Sequence, residues 1–232
     1  MNASEHPPES PAKPGTGPLV GAALGVGLLA AALALALFVL LGYQVRSGGP
    51  IDFDLAVRAW VRSRETPEIS AVMWGASFYG APSRLLPLGL IAAVVFLVRG
   101  WRRGAVLVLV TLVGAVVLDV GLKDLFARAR PQSFFDYYHT PKSYSFPSGH
   151  ALFAVCFFGG LAALVSHRLW NRIARILVWA IALVLILLIG ISRVYLGVHY
   201  PTDVIGGFAV GTVWVVFVAL GDRLAERRRL RV

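Results

Sequence analysis

Three short stretches of this chain concentrate side chains able to act on an anion. Between the last two apolar runs lies Ser192-Arg193-Val194-Tyr195-Leu196-Gly197-Val198-His199-Tyr200-Pro201-Thr202-Asp203. The third apolar run ends in Lys123-Asp124-Leu125-Phe126-Ala127-Arg128-Ala129-Arg130-Pro131, and the fourth opens with Pro147-Ser148-Gly149-His150. Together they offer the cations Lys123, Arg130 and Arg193, a Ser148-Gly149 turn into a helix, two histidines and one carboxylate. Cations beside the open N–H groups of a helix start make an anion site, above all a phosphate site. His199 can attack phosphorus through a ring nitrogen, while Asp203, four residues on, can hold the other ring N–H and fix the tautomer. His150 can protonate the departing oxygen. The cations then stabilise charge on the equatorial phosphate oxygens in the transition state.

Simpler roles compete with each assignment. Lys123, Arg130 and Arg193 can be read as helix-end residues snorkelling to water, although three of them beside two histidines argue for a site. His150, His199 and Asp203 also form a two-histidine, one-carboxylate set, but the surrounding cations would repel a divalent metal. Ser148 suits an N-cap, a role compatible with phosphate binding. Asp119 precedes Lys123 by four residues, so on a helix the two share a face and are expected to form a structural ion pair.

The elements that must position these groups are set by composition. Of 232 residues, 57% are hydrophobic and 15% charged, and the mean hydropathy is +0.72. A soluble domain of this size has no place for so much apolar surface, so the solvent is lipid. The net charge is +10. In a soluble protein this would suggest nucleic acid; here the charge lies between apolar runs and reads as topology signal and contact with anionic membrane lipids. The lone Cys156 sits inside an apolar run and is expected to pack there.

Six spans are expected, near 19–41, 82–98, 105–122, 148–166, 176–191 and 203–220, each long enough at about 1.5 Å per residue to cross about 30 Å of hydrocarbon or nearly so. Pro82–Val98 is barely long enough to cross, with Arg84 and Pro87 in its first turns. Residues 44–81 mix Arg58, Arg62 and the carboxylates Asp52 and Asp54 with Phe53 and Trp60, a pattern of short helices lying at the interface. Trp101, Trp170, Tyr195 and Tyr200 fit interfacial belts, and the run Phe134-Phe135-Asp136-Tyr137-Tyr138 suits a headgroup anchor. The fold class is therefore all-α: a polytopic bundle of six transmembrane helices with an interfacial helical segment after the first. Residues 1–17 read as a disordered cytoplasmic tail, 18–222 as a single membrane domain and 223–232 as a basic cytoplasmic tail. The arginine-rich loops at 99–103 and 167–175 and the C-terminal tail share one face, cytoplasmic by the positive-inside tendency. Both termini are then cytoplasmic. The loops at 123–147 and 192–203 face the other side.

Lys123-x6-Arg130-Pro131, Pro147-Ser148-Gly149-His150 and Ser192-Arg193-x5-His199-x3-Asp203 resemble, in order and spacing, the three-part pattern of the type 2 phosphatidic acid phosphatase family. That family includes bacterial membrane lipid phosphatases and is related to the vanadium-dependent haloperoxidases. The resemblance implies metal-independent and cofactor-free hydrolysis through a phosphohistidine on His199. In it Asp203 orients the ring and His150 serves as acid, while Lys123, Arg130, Ser148, Gly149 and Arg193 hold phosphate. It covers residues 123–203 and leaves Arg128 without a role.

A phosphate site at a membrane face suits an amphiphile whose tails stay in lipid. Polyprenyl diphosphate, phosphatidic acid and phosphatidylglycerol phosphate are the expected substrate classes. Arginine far outnumbers lysine, which occurs only at 13, 123 and 142, and alanine is abundant. That bias suits a GC-rich bacterial genome and an envelope role such as polyprenyl carrier recycling. A lipid phosphotransferase would use the same site with an alcohol as acceptor. A non-catalytic lipid-binding or transport protein would need no paired histidines.

Overall fold

The computed structural model describes residues 17–48, 51–136 and 141–229, and every regular element among them is a helix. The expected N-terminal tail, apart from Gly17, lies outside the described residues, as do Tyr137 and Tyr138 of the aromatic run. Helix α1 (Gly17–Arg46) turns Phe38, Leu41 and Val45 inward and leaves Leu29, Leu33 and Leu40 exposed, a surface that suits lipid. Two short helices follow, α2 (Asp52–Arg62) and α3 (Pro67–Tyr79). The start of α3 is written in the sequence: Thr66 caps it by accepting the Ile69 N–H at 3.3 Å, and Pro67 fills the first turn. Helix α4 (Pro82–Val98) occupies the expected second span residue for residue.

The remaining helices are α5 (Arg102–Phe126), α6 (Gly149–Ser166), α7 (Arg172–Tyr195) and α8 (Pro201–Arg229). Asn171 caps α7, its side-chain oxygen accepting the Ile173 N–H at 2.8 Å. Helix α8 continues through the arginine-rich stretch expected to be a tail. Among the described residues five helices, α1, α5, α6, α7 and α8, are long and apolar enough to cross a membrane. The sixth candidate is the α3–α4 pair, bent by 53°, so the short α4 gains its length from a partner that the sequence placed at the interface.

Helix α6 is the centre of the bundle, packed against α7 and α8. It contains one π turn, Val155–Gly159, that includes the buried Cys156. Close approach of α6 to α8 depends on Gly207. A Cβ there would stand 2.5 Å from the Ser148 carbonyl oxygen and 2.9 Å from the Ala151 Cβ. Helix α1 lies along α8, α4 along α5, and α3 along α7.

The two ends of the bundle differ in chemistry. At one, Arg103 forks onto Asp222 at 2.7 and 2.8 Å and reaches Glu226 at 2.9 Å, tying the start of α5 to the end of α8. The Arg168 guanidinium lies 3.9 Å from the Trp101 ring centre, and Trp170 is almost fully exposed, as an interfacial residue would be. At the other end the three motif stretches converge. Two tyrosines assigned there to an interfacial belt have different places. Tyr195 is buried, with its hydroxyl 2.8 Å from Ser70 Oγ, and the Tyr200 ring sits 4.1 Å from the Arg128 guanidinium carbon. An aromatic at a helix end fits a headgroup belt or a protein interior equally well by sequence, and the close packing of α2 and α3 decides for the interior.

Candidate active site

His199 lies in the turn between α7 and α8 and is 1% exposed. Its ring is held from both sides. Nδ1 stands 3.3 Å from Asp203 Oδ2, and Nε2 stands 2.7 Å from Arg130 Nη1. A guanidinium can only donate, so Nε2 is the acceptor and Nδ1 carries the proton. The i, i+4 spacing of His199 and Asp203 gives the expected pairing because Asp203 belongs to the first turn of α8. Its Oδ2 also accepts the Tyr200 N–H at 2.9 Å. Burial, followed by the nearby Arg130, Arg193 and Lys123, holds the proton affinity of His199 well below the usual histidine range. The folded protein thus favours the neutral ring.

Arg130 is fixed by backbone and side-chain oxygens: Nε donates to Ser143 O at 2.8 Å, Nη1 to Val198 O at 2.9 Å, and Nη2 to Tyr144 O at 3.1 Å. Arg193, in the last turn of α7, is 1% exposed and donates to Ser77 Oγ of α3. Lys123 Nζ is 2.8 Å from the Asp119 carboxylate, the ion pair expected from their spacing. Gly149 backs onto that pair, since a Cβ there would come within 2.6 Å of Asp119 Oδ1.

Ser148 occupies the N-cap position of α6, but its hydroxyl caps nothing and has no hydrogen-bond partner among the described residues, although it is buried. Its backbone N–H donates to Asp203 O at 2.9 Å, which stitches the second motif to the third. His150, in the first turn of α6, lies within electrostatic reach of Lys123, Arg130, Arg193 and His199. All eight residues singled out from the sequence, Lys123, Arg130, Ser148, Gly149, His150, Arg193, His199 and Asp203, therefore gather at one end of the bundle.

Other contributors carry no signal in the motifs. Arg128, left without a role above, is an ion-pair hub: Nη1 is 2.6 Å from Asp203 Oδ1 and Nη2 is 2.8 Å from Asp54 Oδ2. Ala127, at φ 45°, ends α5 in a left-handed residue and turns the chain toward that hub. Asp54 and Arg58 come from α2 and Ser77 from α3. The spacing of Asp54 and Arg58 on one face of an amphipathic helix was visible, but nothing local said that the face is covered.

Residues 104–225 match the family model of the PAP2 superfamily. The chain is 37% identical to phosphatidylglycerophosphatase B of Bacillus subtilis over 195 residues, which cover 83% of this chain and 94% of that protein. It is 28% identical to an undecaprenyl-diphosphatase of Sulfolobus acidocaldarius, over 80% of this chain and 87% of that one. Among solved structures, it is similar to the crystal structure of the transmembrane PAP2-type phosphatidylglycerolphosphate phosphatase from Bacillus subtilis. There the TM-score is 0.75 at 33% identity, covering 83% of this chain and 96% of that one. The fold is that of a multi-pass membrane phosphatase. The chain belongs to the PAP2 superfamily and is a phosphoric ester hydrolase.

Proposed function

We propose that this protein hydrolyses the terminal phosphate of a membrane lipid through a phosphohistidine on His199, at the extracytoplasmic face. The observation that carries this reading is the pairing around His199: Nε2 faces Arg130 at 2.7 Å while Nδ1 faces Asp203 at 3.3 Å. A neutral imidazole with its lone pair turned toward a guanidinium is arranged so that phosphorus approached by Nε2 brings its oxygens to a cation.

In the first step a bond forms between Nε2 and phosphorus as the bond from phosphorus to the lipid oxygen breaks, and His150 gives that oxygen its proton. In the second, His150 takes a proton from water, whose oxygen displaces Nε2 and releases inorganic phosphate. Arg130, Arg193 and Lys123, with the Ser148 hydroxyl and the N–H groups at the start of α6, bind the phosphate oxygens throughout. Asp203 holds the Nδ1 proton and balances the ring's charge in the phosphorylated state. The same cations oppose a divalent metal, which supports a metal-independent reaction.

Two relatives point to the lipid. A phosphatidylglycerophosphatase among them favours a glycerophospholipid phosphomonoester such as phosphatidylglycerol phosphate. An undecaprenyl-diphosphatase supports a polyprenyl diphosphate as the second reading. Purified protein in detergent, with chelator present, is expected to release phosphate fastest from phosphatidylglycerol phosphate in a panel with phosphatidic acid and polyprenyl diphosphate. Activity that disappears with chelator contradicts the metal-independent reading, and a preference for polyprenyl diphosphate favours the second substrate.

The proposed sidedness follows from the arginine-rich end formed by Arg103, Arg168 and the last turns of α8. In a Cys156→Ala background, Lys142→Cys is expected to react with a membrane-impermeant maleimide in intact cells and Trp170→Cys only after lysis. The reverse labelling pattern would place the site in the cytoplasm.

A further inference from the structure

Helix α2 carries none of the motif residues, yet it reaches the site at two positions one turn apart. Asp54 is fully buried and its oxygens are engaged: Oδ1 accepts the Thr202 N–H at 2.9 Å, and Oδ2 accepts the Thr202 hydroxyl at 2.7 Å and Arg128 Nη2 at 2.8 Å. The other arm of Arg128 donates to Asp203 Oδ1 at 2.6 Å and to Thr202 Oγ1 at 2.8 Å. Asp203 in turn meets the imidazole. An unbroken chain of contacts, Asp54–Arg128–Asp203–His199, thus runs from an interfacial helix to the proposed nucleophile. Arg58 flanks it, donating to the carbonyl oxygens of Gly197 at 2.7 Å, Gln132 at 3.2 Å and His199 at 3.4 Å.

The charge pattern gives this chain a purpose. A carboxylate as buried as Asp203 is strongly unfavourable without a partner of opposite charge, and a neutral histidine does not supply one. Arg128 does. Its planar fork can serve Asp203 only if the second arm is also fixed, and Asp54 fixes it. Burying two carboxylates and one guanidinium is a poor way to stabilise a helix contact, because apolar residues of similar volume would do as well or better. A network of this kind defines orientation.

We propose that Asp54 and Arg128 are positioning residues: through them α2 aims Asp203 at Nδ1 of His199 and so keeps Nε2 directed at phosphorus. This rests on His199 being the nucleophile. Misplacing a reacting group by about 1 Å can lower a rate by about 10²-fold. Asp54→Asn in the full-length protein in detergent is therefore expected to lower kcat for phosphatidylglycerol phosphate by about ten- to a hundredfold, with KM little changed. Arg128→Lys, which keeps the buried cation but gives up the fork, is expected to do the same and serves if Asp54→Asn does not fold.

Each change is also made in an Asp203→Asn background, where it should bring no further loss, because its effect runs through the carboxylate already removed. A loss that multiplies with that of Asp203→Asn, or a rise in KM that accounts for it, would mean a merely structural contact and would overturn the proposal. So would a folded Asp54→Asn or Arg128→Lys protein with the wild-type kcat. His199→Gln run alongside separates this failure from failure of the nucleophile: an inactive His199→Gln beside a fully active Asp54→Asn removes only the positioning role.

Discussion

His199→Gln is expected to lower phosphate release from a lipid phosphate by at least about 10⁴-fold while leaving the protein folded, since the proposed mechanism then loses its covalent nucleophile, and with it the reaction path rather than one interaction on it. Phosphate release from purified variant and wild type in detergent checks this, and a loss of tenfold or less would remove His199 from the centre of the mechanism. The pH dependence has a defined sign. Burial and the surrounding cations Arg130, Arg193 and Lys123 depress the proton affinity of His199, so the ring stays neutral as pH falls through 6.5. The acid limb that His199 contributes to kcat/KM of the free enzyme should lie below pH 6.5. The same depression makes the unfolded chain bind the extra proton first. Stability attributable to His199 is therefore intact above about pH 6.5 and falls as the pH drops from there toward the folded-state value.

His150→Ala is the second large effect, with an expected loss of about 10²- to 10⁴-fold on a lipid phosphate, the range for removal of a positioned general acid. The loss should depend on the leaving group. A lipid alkoxide needs a proton as it departs, whereas a nitrophenolate does not, so p-nitrophenyl phosphate should be spared much of the penalty at its first step. Burst kinetics on both substrates would report that step. Equal loss of the burst on both would mean that His150 binds phosphate without acting as the acid.

The parts of this protein governed by local rules were readable in the sequence. Apolar length placed the spans, and Pro82–Val98 proved to be a helix at the expected residues. Four-residue spacing paired Asp119 with Lys123 and His199 with Asp203. What escaped depends on contacts far apart along the chain. Asp54 looked like one more charge on an amphipathic helix, yet it is fully buried against Thr202 and Arg128. Arg128 differs from the motif cations only in what it touches. The π turn at Val155–Gly159 leaves no mark in a run that is apolar on every face. The buried place of Tyr195 follows from its bond to Ser70, on a helix more than a hundred residues earlier.

Rapid alkaline quenching during turnover, followed by mass spectrometry of the peptide containing His199, tests the mechanism most directly, because phosphohistidine survives base. With phosphatidylglycerol phosphate as substrate and chelator present, the phosphoryl group is expected on His199 in the wild type and on no residue of His199→Gln. Steady turnover with the phosphoryl group on another residue, or with none on the protein at any quench time, would contradict it.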